Sequence, residues 1–324
     1  MKKILIILLF SSFNGFCQKE LTCIGFGSCC LQRNEQLIWR QVVKHKPQLW
    51  ISLGDNIYAN TTSMEKMKSQ YKTQLSNYNY QQLLATCPLI GTWDDHDFGA
   101  NDIGKEYTKK DESQQLFLDF IGEPKDSPRW KQKGVYTSYI YGTGERQVKV
   151  ILLDLRYFRD PIGSDGDMLG EEQWKWLENE LNSSKAAINL IGSSIAFVSD
   201  LHPFEKWGNF PKEKQRMLNL LKRTPAKGVI FLSGDRHFAE ISLCREKDFN
   251  RYHLYDFTSS GLTHSRWFLP FDNNPQRVGR RYMRKNFGLI LIDWEKKTVT
   301  LQAHTFRDLV KIERVISFAE LSQL

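Results

Sequence analysis

The stretch Trp93-Asp94-Asp95-His96-Asp97-Phe98-Gly99-Ala100-Asn101-Asp102 follows directly on an apolar run, Cys87-Pro88-Leu89-Ile90-Gly91-Thr92. An apolar run that breaks into packed acids reads as a buried strand delivering its C-terminal end into a polar pocket. Asp94, Asp95 and Asp97 would repel one another and resist burial, so something positive is required among them. No lysine or arginine lies between Trp93 and Asp102. A bound metal ion is the economical answer; the bland alternative is a solvated acidic loop with an Asx-turn.

Working outward, five other segments have the same form, a short β-rich run ending abruptly in small or polar residues. Residues 21–26 end in Gly27-Ser28-Cys29-Cys30, and 48–53 in Gly54-Asp55-Asn56. Residues 148–153 end in Asp154-Leu155-Arg156, 188–191 in Gly192-Ser193-Ser194, and 229–232 in Ser233-Gly234-Asp235-Arg236-His237. Helical patterns lie between them at 36–46, 63–76, 112–121, 171–181 and 212–223. Alternating strands and helices with function gathered at strand ends predict an α/β fold. The last third, with 252–258, 287–293 and 298–304, reads as antiparallel β-structure with Glu295-Lys296-Lys297 as a hairpin turn.

A chain of 324 residues that is 41% hydrophobic can bury a sizeable core, and no repeat or low-complexity tract interrupts it. Lys2 and Lys3 followed by the apolar run 4–10, too short to span a bilayer, read as a Sec-type signal peptide. Gly15 and Cys17 supply the small residues for cleavage before Gln18, so residues 1–17 are the leader and 18–324 one catalytic domain. The expected location is periplasmic or secreted; a lipoprotein anchor on Cys17 is disfavoured by the bulky Phe16. A buried N-terminal strand, the alternative, leaves the two leading lysines unexplained. Without Lys2 and Lys3 the net charge of +8 becomes +6, which favours anionic ligands generally. The basic residues are scattered, so there is no nucleic-acid signature. The densest run, 277–285, is either an anion patch or a solvated helix face.

Three strand ends carry metal-ligand types: Asp55 with Tyr58, the acidic segment 93–102, and Asp235 with His237. Carboxylate, imidazole and amide oxygen suit iron, zinc, manganese or calcium. Asp235 and His237, two apart on an extended strand end, project to the same side. Two ions bridged by a carboxylate can clamp both oxygens of a phosphoryl displacement. The mature chain keeps Cys23, Cys29, Cys30, Cys87 and Cys244, an odd number, so at least one lies outside any intramolecular disulfide. Cys29 reads either as a ligand, as a buried thiol, or as a partner of Cys23, Cys87 or Cys244.

As a set in this order, these blocks resemble the metallophosphoesterases, and within them the PhoD-like alkaline phosphatases. The resemblance is carried by Gly54-Asp55-Asn56-Ile57-Tyr58, Trp93-Asp94-Asp95-His96-Asp97 and Ser233-Gly234-Asp235-Arg236-His237, supported by Gly27-Ser28-Cys29, the segment 153–159 and the segment 258–263. It runs from about Ile24 to about Thr305. The wider family's Asp-x-His and Gly-Asn-His-Asp/Glu blocks are absent, replaced by Gly-Ser-Cys and Trp-Asp-Asp-His-Asp. The resemblance implies a four-layer α/β/β/α sandwich and an Fe3+ ion with Ca2+ beside it, zinc or manganese being the alternatives. It implies Cys29 and Tyr58 as iron ligands, Asp55 as the bridge, Asp95 and Asn101 on the calcium side, and Asp235 and His237 completing the cage. Asp95 is chosen over Asp94 because it precedes His96 as the family's metal-binding asparagine precedes its histidine. A metal-activated water would attack a phosphoester, with His96 assisting the leaving alkoxide.

Arg156 and Arg236 match the geometry of phosphate oxygens, and both also read as ion pairs that prop the acidic cluster. His202 and His253 read as structural, and His264 as a residue lining the pocket. A serine hydrolase built on Ser193, Ser194, Ser259 or Ser260 lacks a Gly-x-Ser-x-Gly elbow and leaves the acids unexplained. A calcium-dependent phosphate- or carbohydrate-binding module explains the acids but not Cys29, Tyr58 and His237. Monoester, diester and phospholipid substrates all remain compatible, and the oligomeric state is open.

Overall fold

The computed structural model describes residues 19–163, 166–245, 249–266 and 273–323, so the expected leader and its cleavage site lie outside the described residues. Two six-stranded sheets face each other. In the first, β1 (Cys23–Gly27), β2 (Leu49–Leu53) and β3 (Leu89–Thr92) run parallel. From β1 it continues antiparallel through β10 (Asn286–Asp293), β11 (Thr298–Thr305) and β12 (Val310–Ser317). The second contains β4 (Thr137–Tyr141), β5 (Val148–Leu152), β6 (Ile188–Ser193), β7 (Val229–Ser233), β8 (Ala239–Leu243) and β9 (Tyr255–Ser259). Its spatial order is β4-β5-β6-β7-β9-β8, with β5, β6, β7 and β9 parallel.

Alternation along the strands sorts the apolar residues into three cores. Ile24, Phe26, Ile51, Leu53, Val150, Leu152, Leu190 and Leu232 meet between the sheets. On the outer face of the first sheet, Trp50 and Leu289 pack under helices α1 (Ile38–Lys44), α2 (Met64–Leu75), α3 (Tyr78–Thr86) and α5 (Lys110–Ile121). On the outer face of the second, Ile151, Ile191 and Phe231 pack under α6 (Gly170–Ser183) and α7 (Pro211–Arg223). Burial on both faces is why the parallel strands read as near-continuous apolar runs. The result is the expected α/β/β/α sandwich. Among the described residues, no helix is long and apolar enough to cross a membrane.

Two expectations need correction. The strand predicted at 252–258 is β9, which runs parallel to β7 and antiparallel only to β8. Its register follows from inserting between them, whereas the three C-terminal strands extend the other sheet. The basic run 277–285 is not a helix. It bridges β8 at Ser242↔Arg277 and Ala239↔Tyr282, and Arg277 Nε donates to Glu240 at 2.6 Å.

The strand ends converge tightly. A β-carbon on Gly234 would fall 2.7 Å from Ser28 Oγ and 2.8 Å from the carbonyls of Leu53 and Ser194. Four strand ends therefore meet at one glycine, which no side chain could replace without moving backbone. A short helix, α4 (Asp95–Phe98), starts where β3 stops.

Candidate metal centre

The residues that leave these strand ends turn sharply. Cys29, Asp55, Asp235 and His237 all have left-handed backbone, with φ of 60°, 50°, 61° and 61°. Such conformations cost roughly 1–3 kcal/mol each outside glycine and persist only where the surroundings enforce them. Here the enforcement is visible: Cys30 N donates to Asp55 O at 2.8 Å, and His264 N to Cys29 O at 3.1 Å.

Cys29 is buried, with Sγ 3.0 Å from Ser260 Oγ and 3.3 Å from Asp55 Oδ2. Ser260 Oγ already accepts the His237 N–H at 2.8 Å, so its own proton is free to point at the sulfur. The Tyr58 hydroxyl donates to Asp55 Oδ2 at 2.9 Å. Cys29, Asp55 and His237 present ligand atoms within 4.8 Å of one another; so do Asp55, Asp95 and His96, with Asp55 common to both groups. His96 Nδ1 lies 2.6 Å from Asn60 Oδ1, and its ring lies 4.2 Å from that of Tyr58. The His264 ring is 4.3 Å from His237 and 5.0 Å from Tyr58, at the pocket as expected.

The acids of the segment 93–102 divide their labour. Asp94 Oδ1 accepts Arg156 Nε at 2.6 Å and Ser194 Oγ at 2.7 Å. Asp97 accepts the N–H groups of Asp94, Asp55 and Asn56 and the Asn56 amide, stitching the β2 and β3 ends together. Asp95 takes the Asp102 N–H on Oδ2 at 2.8 Å and leaves Oδ1 buried without a hydrogen-bond partner. Asp94 Oδ2 is likewise buried without a partner, but of the two adjacent acids only Asp95 joins the close groups of ligand atoms. Part of the positive charge expected of a metal is supplied by Arg156, 62 residues along the chain from Asp94.

Arg156 itself is fully buried. Beyond Asp94, its Nη1 and Nη2 donate to Glu205 at 2.9 and 2.6 Å, and Arg159 Nη1 pairs with the same carboxylate at 2.8 Å. Of its two sequence readings the geometry matches the prop, not contact with a phosphate. Arg236 is buried between the rings of Phe204 and Phe238, at 4.9 and 5.1 Å. Asn101 is exposed, and Asp102, next in sequence, forms a further close group with Asp95 and Glu205. Asp235 is near enough to Cys29 and Asp55 to raise both their pKa values, yet falls outside the closest groups.

Electrostatically the centre calls for cations. Burial, then the carboxylates of Asp95, Asp94 and Asp97, push Asp55 well above the usual carboxylate range. Burial and Asp55 do the same to the Cys29 thiol. Asp235 is pushed up to about 7, mainly by burial, and burial pulls His237 down to about 3. The shifts of Asp55, Cys29 and Asp235 disfavour a negative charge that a bound cation would favour, and that of His237 keeps the ring neutral, as a ligand must be. The buried oxygens Asp55 Oδ1 and Asp95 Oδ1 and the nitrogen His237 Nδ1 have no hydrogen-bond partner, as ligand atoms would. The donor set of thiol, phenol, carboxylates and imidazole fits a transition metal with a harder ion beside it.

Sequence reasoning missed Glu205 and Asn60, and weighed Ser260 only as a hydrolase nucleophile, not as the partner of Cys29. Glu205 sits in a loop with no periodicity, and only its contacts reveal it. Cys29, like Cys23, Cys30 and Cys87, is in no disulfide, which removes the disulfide alternative for Cys29.

Comparison with known proteins gives a consistent result. The family model described as PhoD-like phosphatase matches residues 23–277. Alkaline phosphatase D of Bacillus subtilis (strain 168) is 23% identical over 267 residues, covering 66% of this chain and 45% of its own length. The chain thus spans less than half of that relative. The solved structure of PhoD superposes with a TM-score of 0.75 at 17% identity, over 94% of this chain and 71% of that one. GAP50, the anchor in the inner membrane complex of Plasmodium, superposes with a TM-score of 0.64 at 11% identity, over 94% of this chain and 90% of its own. Likeness at these identities concerns the fold alone.

Proposed function

Since the chain belongs to the PhoD-like phosphatase family, we propose that it is a secreted, metal-dependent phosphoester hydrolase acting on small phosphate esters. The observation that carries this reading is the sharing of Asp55 between two close groups, one with Cys29 and His237 and one with Asp95 and His96. A carboxylate common to two donor sets is what a pair of neighbouring ions requires.

In this reading Cys29, Tyr58, Asp55 and His237 would hold an iron ion, and Asp55, Asp95 and Asn101 a calcium ion, with Asp235 completing the cage. Bound there, the ions supply Lewis-acid charge that eases water deprotonation and offsets charge on the phosphoryl oxygens. The remaining work falls to the chain's own groups. Asn60 Oδ1 accepts from His96 Nδ1, which leaves the Nε2 lone pair to take up a proton released by the attacking water and pass it to the departing alkoxide. Arg236, clamped between Phe204 and Phe238, orients the phosphate by its fork. Arg156 keeps Asp94 and Glu205 from repelling the acids beside them.

The test is hydrolysis of p-nitrophenyl phosphate and its bis ester by metal-replete protein, with elemental analysis of the ions retained. Activity abolished by chelator and restored by metal supports the reading. Calcium without iron and no turnover of either ester would instead favour a calcium-dependent binding module.

A further inference from the structure

Away from this centre, the end of α1 and the hairpin between β11 and β12 bring together His45, His304 and Asp308. His45 Nε2 lies 2.6 Å and His304 Nδ1 3.0 Å from the same oxygen, Asp308 Oδ1. The three ligand atoms all lie within 4.8 Å of one another. The geometry is built rather than accidental. The two imidazoles meet edge to face at 4.6 Å, and His304 stacks on Phe287, its register partner on β10, at 5.1 Å. An irregularity between Ala303 and His304 and a left-handed Asp308, φ 63°, turn the hairpin residues toward the cluster.

Hydrogen-bond polarity shows what the cluster lacks. Gln302 Nε2 donates to Glu313 Oε2 at 2.6 Å, and an ionised carboxylate can only accept. The Gln302 amide is therefore oriented, and its Oε1 faces His304 Nε2 at 3.0 Å. His304 must carry its hydrogen on Nε2. A neutral imidazole has only one N–H, so Nδ1 points a lone pair at Asp308 Oδ1. Either a proton, which makes His304 an imidazolium that donates from both nitrogens, or a bound cation must reconcile these two acceptors.

We propose that His45, His304 and Asp308 form a second metal site, separate from the catalytic centre, for a divalent transition ion of the zinc class. Two imidazoles and a carboxylate are a three-ligand zinc set that leaves one position for water or an outside ligand. Gln302, with Glu313 behind it, is the outer partner that fixes the tautomer of a ligating histidine. Entry is open from solvent, because the side chains of His45 and Asp308 are 26% and 25% exposed.

The experiment uses the full chain with its resident ions in place, dialysed against zinc and then analysed for metal per chain. One additional zinc equivalent is expected. Its affinity should fall at least tenfold in Asp308→Asn and in His45→Gln, and roughly 10–100-fold in Gln302→Ala. Circular dichroism and resident-metal content identify any variant that has misfolded. Independently, cobalt added to the unaltered protein should give the visible bands of an imidazole-bound ion. No uptake beyond the resident ions, no cobalt bands, or uptake unchanged in folded His45→Gln and Asp308→Asn would overturn the proposal and leave an imidazolium–carboxylate cluster.

Discussion

Nε of Arg156 lies 2.6 Å from Oδ1 of Asp94, and neither side chain reaches solvent. The same guanidinium grips Glu205 with both terminal nitrogens. One guanidinium is thus shared between two buried acids from different loops, and Arg159 supplies a second charge to Glu205.

Removing that guanidinium strands Asp94 and leaves Glu205 with Arg159 alone. Arg156→Ala should destabilise the fold by roughly 3–5 kcal/mol, read by chemical denaturation, because the cost is that of an uncompensated buried carboxylate. Arg156→Lys should recover only part, since an ammonium cannot fork across Glu205 while holding Asp94. A stable Arg156→Ala protein that merely binds substrate less tightly would return Arg156 to the role of phosphate contact.

Cys29→Ser should lower iron content and activity while leaving the circular dichroism unchanged. Ser260→Ala should weaken the same site more mildly, because the hydroxyl 3.0 Å from the sulfur is positioned to stabilise a thiolate. A tyrosinate–iron bond from Tyr58 should colour the protein, and Tyr58→Phe should bleach it. Full iron and colour in Cys29→Ser would refute the assignment.

The metal-free protein should lose stability as pH rises from about 4 to about 7. Burial lifts the folded-state pKa of both Asp97 and Asp235 to about 7 from an ordinary 3.8. In that window the folded chain binds more protons than the unfolded one, so stability is full below the lower value and declines through the upper. Added cations should flatten the decline. Thermal melts at several pH values, with chelator and with metal, read this directly; a metal-free melting temperature that climbs across the window would contradict it.

Asp55→Asn should abolish most turnover of p-nitrophenyl esters, since one change weakens both donor groups. His96→Ala should retain the ions but lower kcat by roughly 10²-fold, the loss expected of one proton-transfer group. Turnover of the unaltered protein should be favoured at alkaline pH, where the water to be activated is deprotonated. Unchanged kcat in Asp55→Asn, measured by steady-state kinetics, would end the metallophosphatase reading.

Much of this was legible along the chain. The strand ends at Gly27, Leu53, Thr92, Ser193 and Ser233 announce themselves because a buried parallel strand must be apolar on both faces and then stop. Cys29, Asp55, Asp95 and His237 could be picked out because each immediately follows such a strand or lies within a few residues of one. What the chain alone could not decide was which groups face which. Asp94 and Asp95 are adjacent and identical in type, yet a single step along the turn into α4 sends one to Arg156 and leaves the other in the centre. The His45–His304–Asp308 cluster had no sequence signal, because its members are 259 and 4 residues apart and meet only through sheet register and hairpin geometry. Local chemistry and periodicity are written in neighbouring residues; partnership between distant charges is decided by packing, which only the assembled sheets provide.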